Sequence, residues 1–240
     1  MKEEYFKWYT NYLDRDFEML VFGHSGRPVI LFPRSKGRYY QNKDFKLIDS
    51  VAYLIDAEKV KIYCPDGVDS QSWYNYSITP ANRVKTHIGY ENVILNDVVR
   101  YIKDDMGDVN IAAAGCSFGA YHAANLAFRH PDLINSLICM GGAYDIKRFI
   151  YGYYDENCYF NNPPDYLPSL NDRWYLEKIK KMNIILGTGE QDICLSDNVH
   201  LSNILNDKGI KHWLDVRQGV GHDWQWWREM FPYYLSKIIG

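Results

Sequence analysis

The run Asn-Ile-Ala-Ala-Ala-Gly-Cys-Ser-Phe-Gly-Ala-Tyr-His-Ala-Ala-Asn-Leu-Ala-Phe, residues 110 to 128, restricts the fold more than any other part of the chain. Ile111 to Ala114 is the short apolar run of a buried strand, and Ala120 to His130 is a helix of good formers. Between them stands Gly115-Cys116-Ser117-Phe118-Gly119. A strand-to-helix turn this tight strains the backbone of its serine and lifts the hydroxyl above the sheet edge. A Cβ in place of either glycine would collide with the neighbouring strand or helix. Ser117 is therefore the candidate nucleophile.

The rest of the composition narrows the class. A chain of 240 residues can bury a large core as one domain, residues 1–240. With 47% hydrophobic residues, 24% charged and a net charge of −3, it reads as soluble and offers no basic stripe for nucleic acid. The five cysteines (Cys64, Cys116, Cys139, Cys158, Cys194) lack Cys-x-x-Cys spacing, which suggests free thiols in a reducing compartment and no metal site. Cys116 and Cys194 flank the proposed site without a pair of histidines at ligand spacing, so no metal and no cofactor is expected. No run approaches the length of a membrane span and the start lacks a signal-peptide core, so the expectation is a cytoplasmic protein with no membrane partner.

Short strands alternate with helices along the chain. Phe17 to Phe22, Val29 to Phe32, Lys59 to Cys64, Ile111 to Ala114, Ser136 to Met140, Met182 to Leu186 and His212 to Val216 read as strands. Gly23-His24-Ser25-Gly26 reads as a hairpin turn between the first two. Glu91 to Asp104 is amphipathic, Ser196 to Asp207 is a helix capped by Ser196 and closed by Gly209, and a Trp-rich helix begins at Trp224. The expected architecture is α/β: a doubly wound, mostly parallel sheet with helices on both faces. Residues 146–174 break the pattern with many tyrosines and prolines, and read as a small aromatic-rich lid over the strand ends.

A Gly-x-Ser-x-Gly turn between strand and helix is the nucleophile elbow of the α/β-hydrolases, which this chain resembles. In that fold the partners follow in the order serine, acid, histidine. Of the seven histidines only His222 lies in a loop beyond the last strand, between Gly221 and a helix start. Asp192 follows the strand Met182 to Leu186 through the turn-rich Gly187-Thr-Gly-Glu-Gln, with Glu190 and Asp145 as rival acids. The oxyanion needs backbone donors in place before charge develops. Phe118, after the nucleophile, supplies one, and the loop after Val29 to Phe32 the other; Pro33 has no N–H, leaving Ser35 or Arg34, with Ser35 preferred. Arg34, Trp73, Tyr74, Tyr144 and Tyr159 are candidate pocket residues.

The motifs Gly115-Cys-Ser117-Phe-Gly119, Gly187-Thr-Gly-Glu-Gln-Asp192 and Gly221-His222-Asp223-Trp224, with Tyr90-Glu91 opening a helix before the elbow, resemble the esterase D-like family. That family includes feruloyl esterases and mycolyltransferases. The resemblance runs from about Asp16 to Tyr234 and implies an α/β-hydrolase fold with Asp192 as the acid. Relatives usually carry His-Gly or Asp-Gly after the oxyanion strand, where this chain has Pro33-Arg34. The expected activity is that of a serine hydrolase cleaving a carboxylic ester of a small or medium acyl group through an acyl-enzyme. Acyl transfer at the same site and a catalytically silent binding module are the alternatives, and a homo-oligomer is left open.

Overall fold

Strands β3 (Arg27–Phe32), β5 (Ile111–Cys116) and β6 (Ile134–Met140) are apolar along most of their length because both of their faces are covered. Val29, Leu31, Ala112, Ala114, Ile138 and Met140 point into one core, while Ile30, Phe32, Ile111, Ala113, Leu137 and Cys139 point into the other. The computed structural model describes residues 1–239. Its sheet has eight strands, adding β1 (Glu3–Thr10), β2 (Arg15–Phe22), β4 (Val60–Pro65), β7 (Asn183–Gln191) and β8 (Trp213–Gly221), in the order β1-β2-β4-β3-β5-β6-β7-β8. β1 and β2 are antiparallel, as are β2 and β4; every other neighbouring pair is parallel.

One core is closed by the helix Phe118–Arg129, whose Ala120, Ala123, Ala124 and Ala127 let it approach the sheet closely. The helices Pro80–Val93 and Leu195–Asp207 complete that face. The opposite core is closed by the terminal helix Trp224–Ile238, which buries Trp227, Met230, Phe231, Tyr234 and Leu235 on one side. Each such side chain contributes about 1.5–3 kcal/mol on full burial. Asp223 starts that helix by accepting the N–H of Trp224 (2.6 Å).

Three expectations are corrected. Gly23–Gly26 is not a hairpin turn: β4 lies between β2 and β3, so the connection passes over the start of β4. The hairpin is formed instead by β1 and β2. The helix expected from Glu91 begins at Pro80, where Thr79 Oγ1 accepts the N–H of Asn82 (3.3 Å) and proline occupies the first turn. It passes through a π-helical stretch, Ile94–Val99, before Arg100–Met106. Ser196 is not a cap either: its helix starts at Leu195, and the N–H of Cys194 just before it goes to Asp192 Oδ1 (2.7 Å).

Residues 146–174 fold as short helices, with Asp155 and Asp172 capping Glu156–Phe160 and Arg173–Ile179. Arg83 pins this segment to the body. Buried at 3% exposure, it donates to the carbonyls of Phe149 (2.6 Å), Asn75 (2.6 Å) and Ile78 (3.1 Å). Among the described residues no helix is long and apolar enough to cross a membrane.

Candidate active site

The carboxyl ends of β3, β5, β7 and β8 bring the candidate residues to one edge of the sheet. Ser117 directly follows β5 with φ 55° and ψ −122°, a left-handed conformation that strains any residue with a side chain. The turn is fixed by close approach. A Cβ on Gly119 would lie 2.5 Å from the carbonyl oxygen of Pro33, and one on Gly115 would strike the backbone of Gly119. β5 and the helix after it are thereby held against the end of β3.

Ser117 Oγ donates to His222 Nε2 (2.9 Å), and His222 Nδ1 donates to Asp192 Oδ1 (2.8 Å). Ser117 and Asp192 are buried, and the His222 side chain is 11% exposed. Trp227 packs edge-on to the imidazole, ring centroids 5.0 Å apart, and fixes its plane. Gly141, at φ +57°, closes the floor: a Cβ there would lie 2.6 Å from Asp192 Oδ2 and 3.1 Å from His222 Nδ1. Sequence reasoning passed over Gly141, although its position directly after β6 was a signal.

The rival acids are occupied elsewhere. Glu190 accepts the N–H of Gly219 (3.3 Å), and Asp145 accepts the N–H of Lys147 (2.8 Å) and an amide N–H of Asn162 (3.3 Å). Neither bonds to His222.

Behind β3 the backbone donors sort themselves. The Arg34 N–H donates to Gln41 Oε1 (2.9 Å) and that of Lys36 to Asp69 Oδ2 (3.0 Å). The N–H of Ser35, between them, makes no hydrogen bond among the described residues, and neither does that of Phe118. Both donors are tied to one buried carboxylate. Asp69, 2% exposed, holds the Ser35 loop through Lys36, and its other oxygen accepts from His122 Nε2 (2.8 Å) on the helix that Phe118 opens. Tyr74 adds a further tie, donating its hydroxyl to Ser35 Oγ (2.9 Å). Sequence reasoning missed Asp69 and His122. They are 53 residues apart, and neither stands in a motif.

The pocket candidates divide. Arg34 and Tyr74 flank Ser35. Trp73 is fully buried against Tyr121, Phe149 and His87, and so has no surface for a ligand. Tyr144 is likewise buried, its hydroxyl donating to Asn198 Oδ1 (3.0 Å). Tyr159 lines a separate cavity of about 540 Å³ between Arg129, Tyr166 and Tyr175, and none of Ser117, Asp192 and His222 faces it. The three are packing or remote residues because a ring-rich chain uses most of its rings as core.

Burial holds the neighbouring thiols protonated: Cys116 lies well above the usual thiol range, and Cys194 is pushed up to about 12 by burial with Asp192 and Asp197 adding to it. Neither thiol is activated for nucleophilic attack. Asp192, Cys194 and His222 bring one ligand atom each within 4.8 Å. That set is a poor metal centre, since Asp192 and His222 already bond to each other and the thiol keeps its proton.

The model of the alpha/beta hydrolase fold matches residues 70–179, which include the elbow. A search of curated proteins returns no match. Among solved structures, a ferulic acid esterase superposes with a TM-score of 0.80 at 18% identity, covering 100% of this chain and 98% of its own. The S-formylglutathione hydrolase of Agrobacterium tumefaciens gives a TM-score of 0.76 at 11% identity over 99% of this chain and 94% of its own. A ferulic acid esterase of the anaerobic fungus Anaeromyces mucronatus gives 0.72 at 14% identity over 100% and 91%. With the parallel sheet, its antiparallel β2 and the elbow after β5, these matches show that the chain has the α/β-hydrolase fold.

Proposed function

We propose that the chain is a serine hydrolase that cleaves a carboxylic ester of a small or medium acyl group. The observation that carries the reading is the continuous relay from Ser117 Oγ through His222 to Asp192, at 2.9 and 2.8 Å. Ser117 Oγ attacks the carbonyl carbon while His222 Nε2 takes its proton, and Asp192 stabilises the imidazolium. The tetrahedral oxyanion is received by the N–H groups of Phe118 and Ser35, with the positive end of the helix Phe118–Arg129 behind the first. Collapse expels the alcohol, which leaves with the proton from His222, and Ser117 retains the acyl group. Water, deprotonated by His222, then attacks the acyl carbon, and the carboxylic acid departs as Ser117 recovers its proton. The names of the superposed structures, ferulic acid esterases and an S-formylglutathione hydrolase, support this reaction class.

Incubation of the wild-type protein with a fluorophosphonate tests the reading. The expected result is one adduct by intact mass, on the peptide that contains Ser117. Folded protein that takes up no adduct would overturn it in favour of a silent binding module.

Asp69 is assigned here as a positioning residue for both oxyanion donors. Asp69→Asn removes the charge and replaces one acceptor oxygen with an amide. It is expected to lower kcat by about 10–100-fold with KM changed less than about threefold. The pH of half-maximal rate should stay where it is, because the His222–Asp192 pair is untouched. A loss carried by KM would remove Asp69 from this role.

A further inference from the structure

The mouth of this site carries positive charge that the protein does not neutralise. Three other partly buried arginines each meet a carboxylate: Arg15 with Asp66, Arg129 with Glu91 and Arg217 with Asp215. Arg34 is half-buried too, yet its guanidinium makes no hydrogen bond and no ion pair among the described residues. It rests 6.0 Å from the Trp224 ring centroid and 5.9 Å from that of Trp227, at the outer limit of a cation–π contact. Trp227 is the ring packed against His222, so the free guanidinium stands on the His222 side of the nucleophile. Its charge is felt at Cys116, the neighbour of Ser117, where it opposes the upward push of burial.

A second cation approaches from the other side of Ser35. An Arg148 N–H lies 3.3 Å from the Tyr74 hydroxyl that holds Ser35, and Arg148 also forms no ion pair. The carboxylate that responds to it is Asp197, which does not bond to it and is held above the usual range by burial and Asp145. Lys36 Nζ lies over the Tyr74 ring at 5.0 Å. In a chain of net charge −3, these three cations gather around the loop that carries an oxyanion donor. Of the three only Arg34 is half-buried, Lys36 and Arg148 being exposed, and a partly desolvated cation without a partner gains most from an anion that arrives with the ligand.

We infer that the ester taken by this site carries a negatively charged group, such as a carboxylate, bound by the Arg34 guanidinium, with Arg148 and Lys36 adding to the positive field. The inference rests on the serine-hydrolase reading above and adds the substrate class to it. Pro33-Arg34 in place of the relatives' His-Gly or Asp-Gly is then a specificity feature.

Three esters separate the possibilities: 4-nitrophenyl butyrate, which is neutral; mono-4-nitrophenyl succinate, of the same acyl length with a terminal carboxylate; and 3-carboxy-4-nitrophenyl butyrate, with the charge on the alcohol. At low ionic strength wild type is expected to favour one charged ester over the neutral one by about tenfold in kcat/KM. That preference should shrink at about 0.5 M salt, where screening is strong. Arg34→Gln should bring the ratio of charged to neutral close to one. A wild-type preference for the neutral ester, or a ratio insensitive to both salt and Arg34→Gln, would overturn the inference. The salt series needs no variant, so it stands if Arg34→Gln fails to fold. Hydrolysis of none of the three, without a fluorophosphonate adduct, would overturn the hydrolase reading itself.

Discussion

Ser117→Ala is expected to abolish ester hydrolysis, lowering kcat by about 10⁴–10⁶-fold, while leaving the fold in place. The size follows from the chemistry: without Oγ there is no acyl-enzyme, and only the oxyanion donors and the binding surface remain to accelerate attack by water. The fold survives because the hydroxyl makes a single hydrogen bond, to His222, and the turn is held by Gly115 and Gly119 packing against β3. A stability change of about 1 kcal/mol or less is expected, a shift of about 4 °C or less in Tm for a chain of this size. Hydrolysis of an activated ester and a thermal melt, run together, check both halves. Turnover within about a hundredfold of wild type would move the nucleophile away from Ser117.

Asp192→Asn is expected to cost about 10⁴-fold in kcat. Asp192 Oδ1 accepts two N–H groups, from His222 Nδ1 and from the Cys194 backbone. If the new amide turns its oxygen to that position, the imidazole keeps its orientation but loses the negative charge that stabilises its protonated form. If it turns its NH2 there, His222 must carry its proton on Nε2, where it faces Ser117 as a donor and cannot act as a base. Gly141 packs too closely behind the carboxylate for the side chain to escape either choice. Glu190→Gln and Asp145→Asn serve as controls and should each stay within about threefold of wild type, since neither carboxylate bonds to His222. A larger loss in a control than in Asp192→Asn would transfer the role of the acid.

Residues governed by local geometry were the legible ones. Gly115 and Gly119 are required by contacts within a few residues of Ser117 and with the end of β3, so the elbow is written in one short string. Asp192 follows from its place after β7, which announces itself because it is buried along most of its length, and His222 from its glycine-flanked place after the half-exposed edge strand β8. Pairing across the sheet was hidden: Gly23–Gly26 looks like a hairpin in isolation, and only the insertion of β4 between β2 and β3 makes it a crossing. The aromatic residues were opaque for another reason. Trp73 and Tyr144 have the composition of a pocket wall, yet packing and a hydroxyl partner, neither visible in a string, make them core. Asp69 and His122 were unreadable because each is ordinary until the fold brings them to 2.8 Å.

The sheet order has a consequence for the timing of reactivity. Ser117 and His222 are 105 residues apart, and β8, which delivers His222, is an edge strand paired only with β7. During synthesis the strained turn after β5 can be built once β3, β5 and β6 exist, well before its base has left the ribosome. On the proposed mechanism Ser117 has no base until β8 docks, and its hydroxyl is until then no more nucleophilic than that of any other serine. On the same reading, a chain that stalls or is clipped before β8 carries the strained turn but no esterase activity.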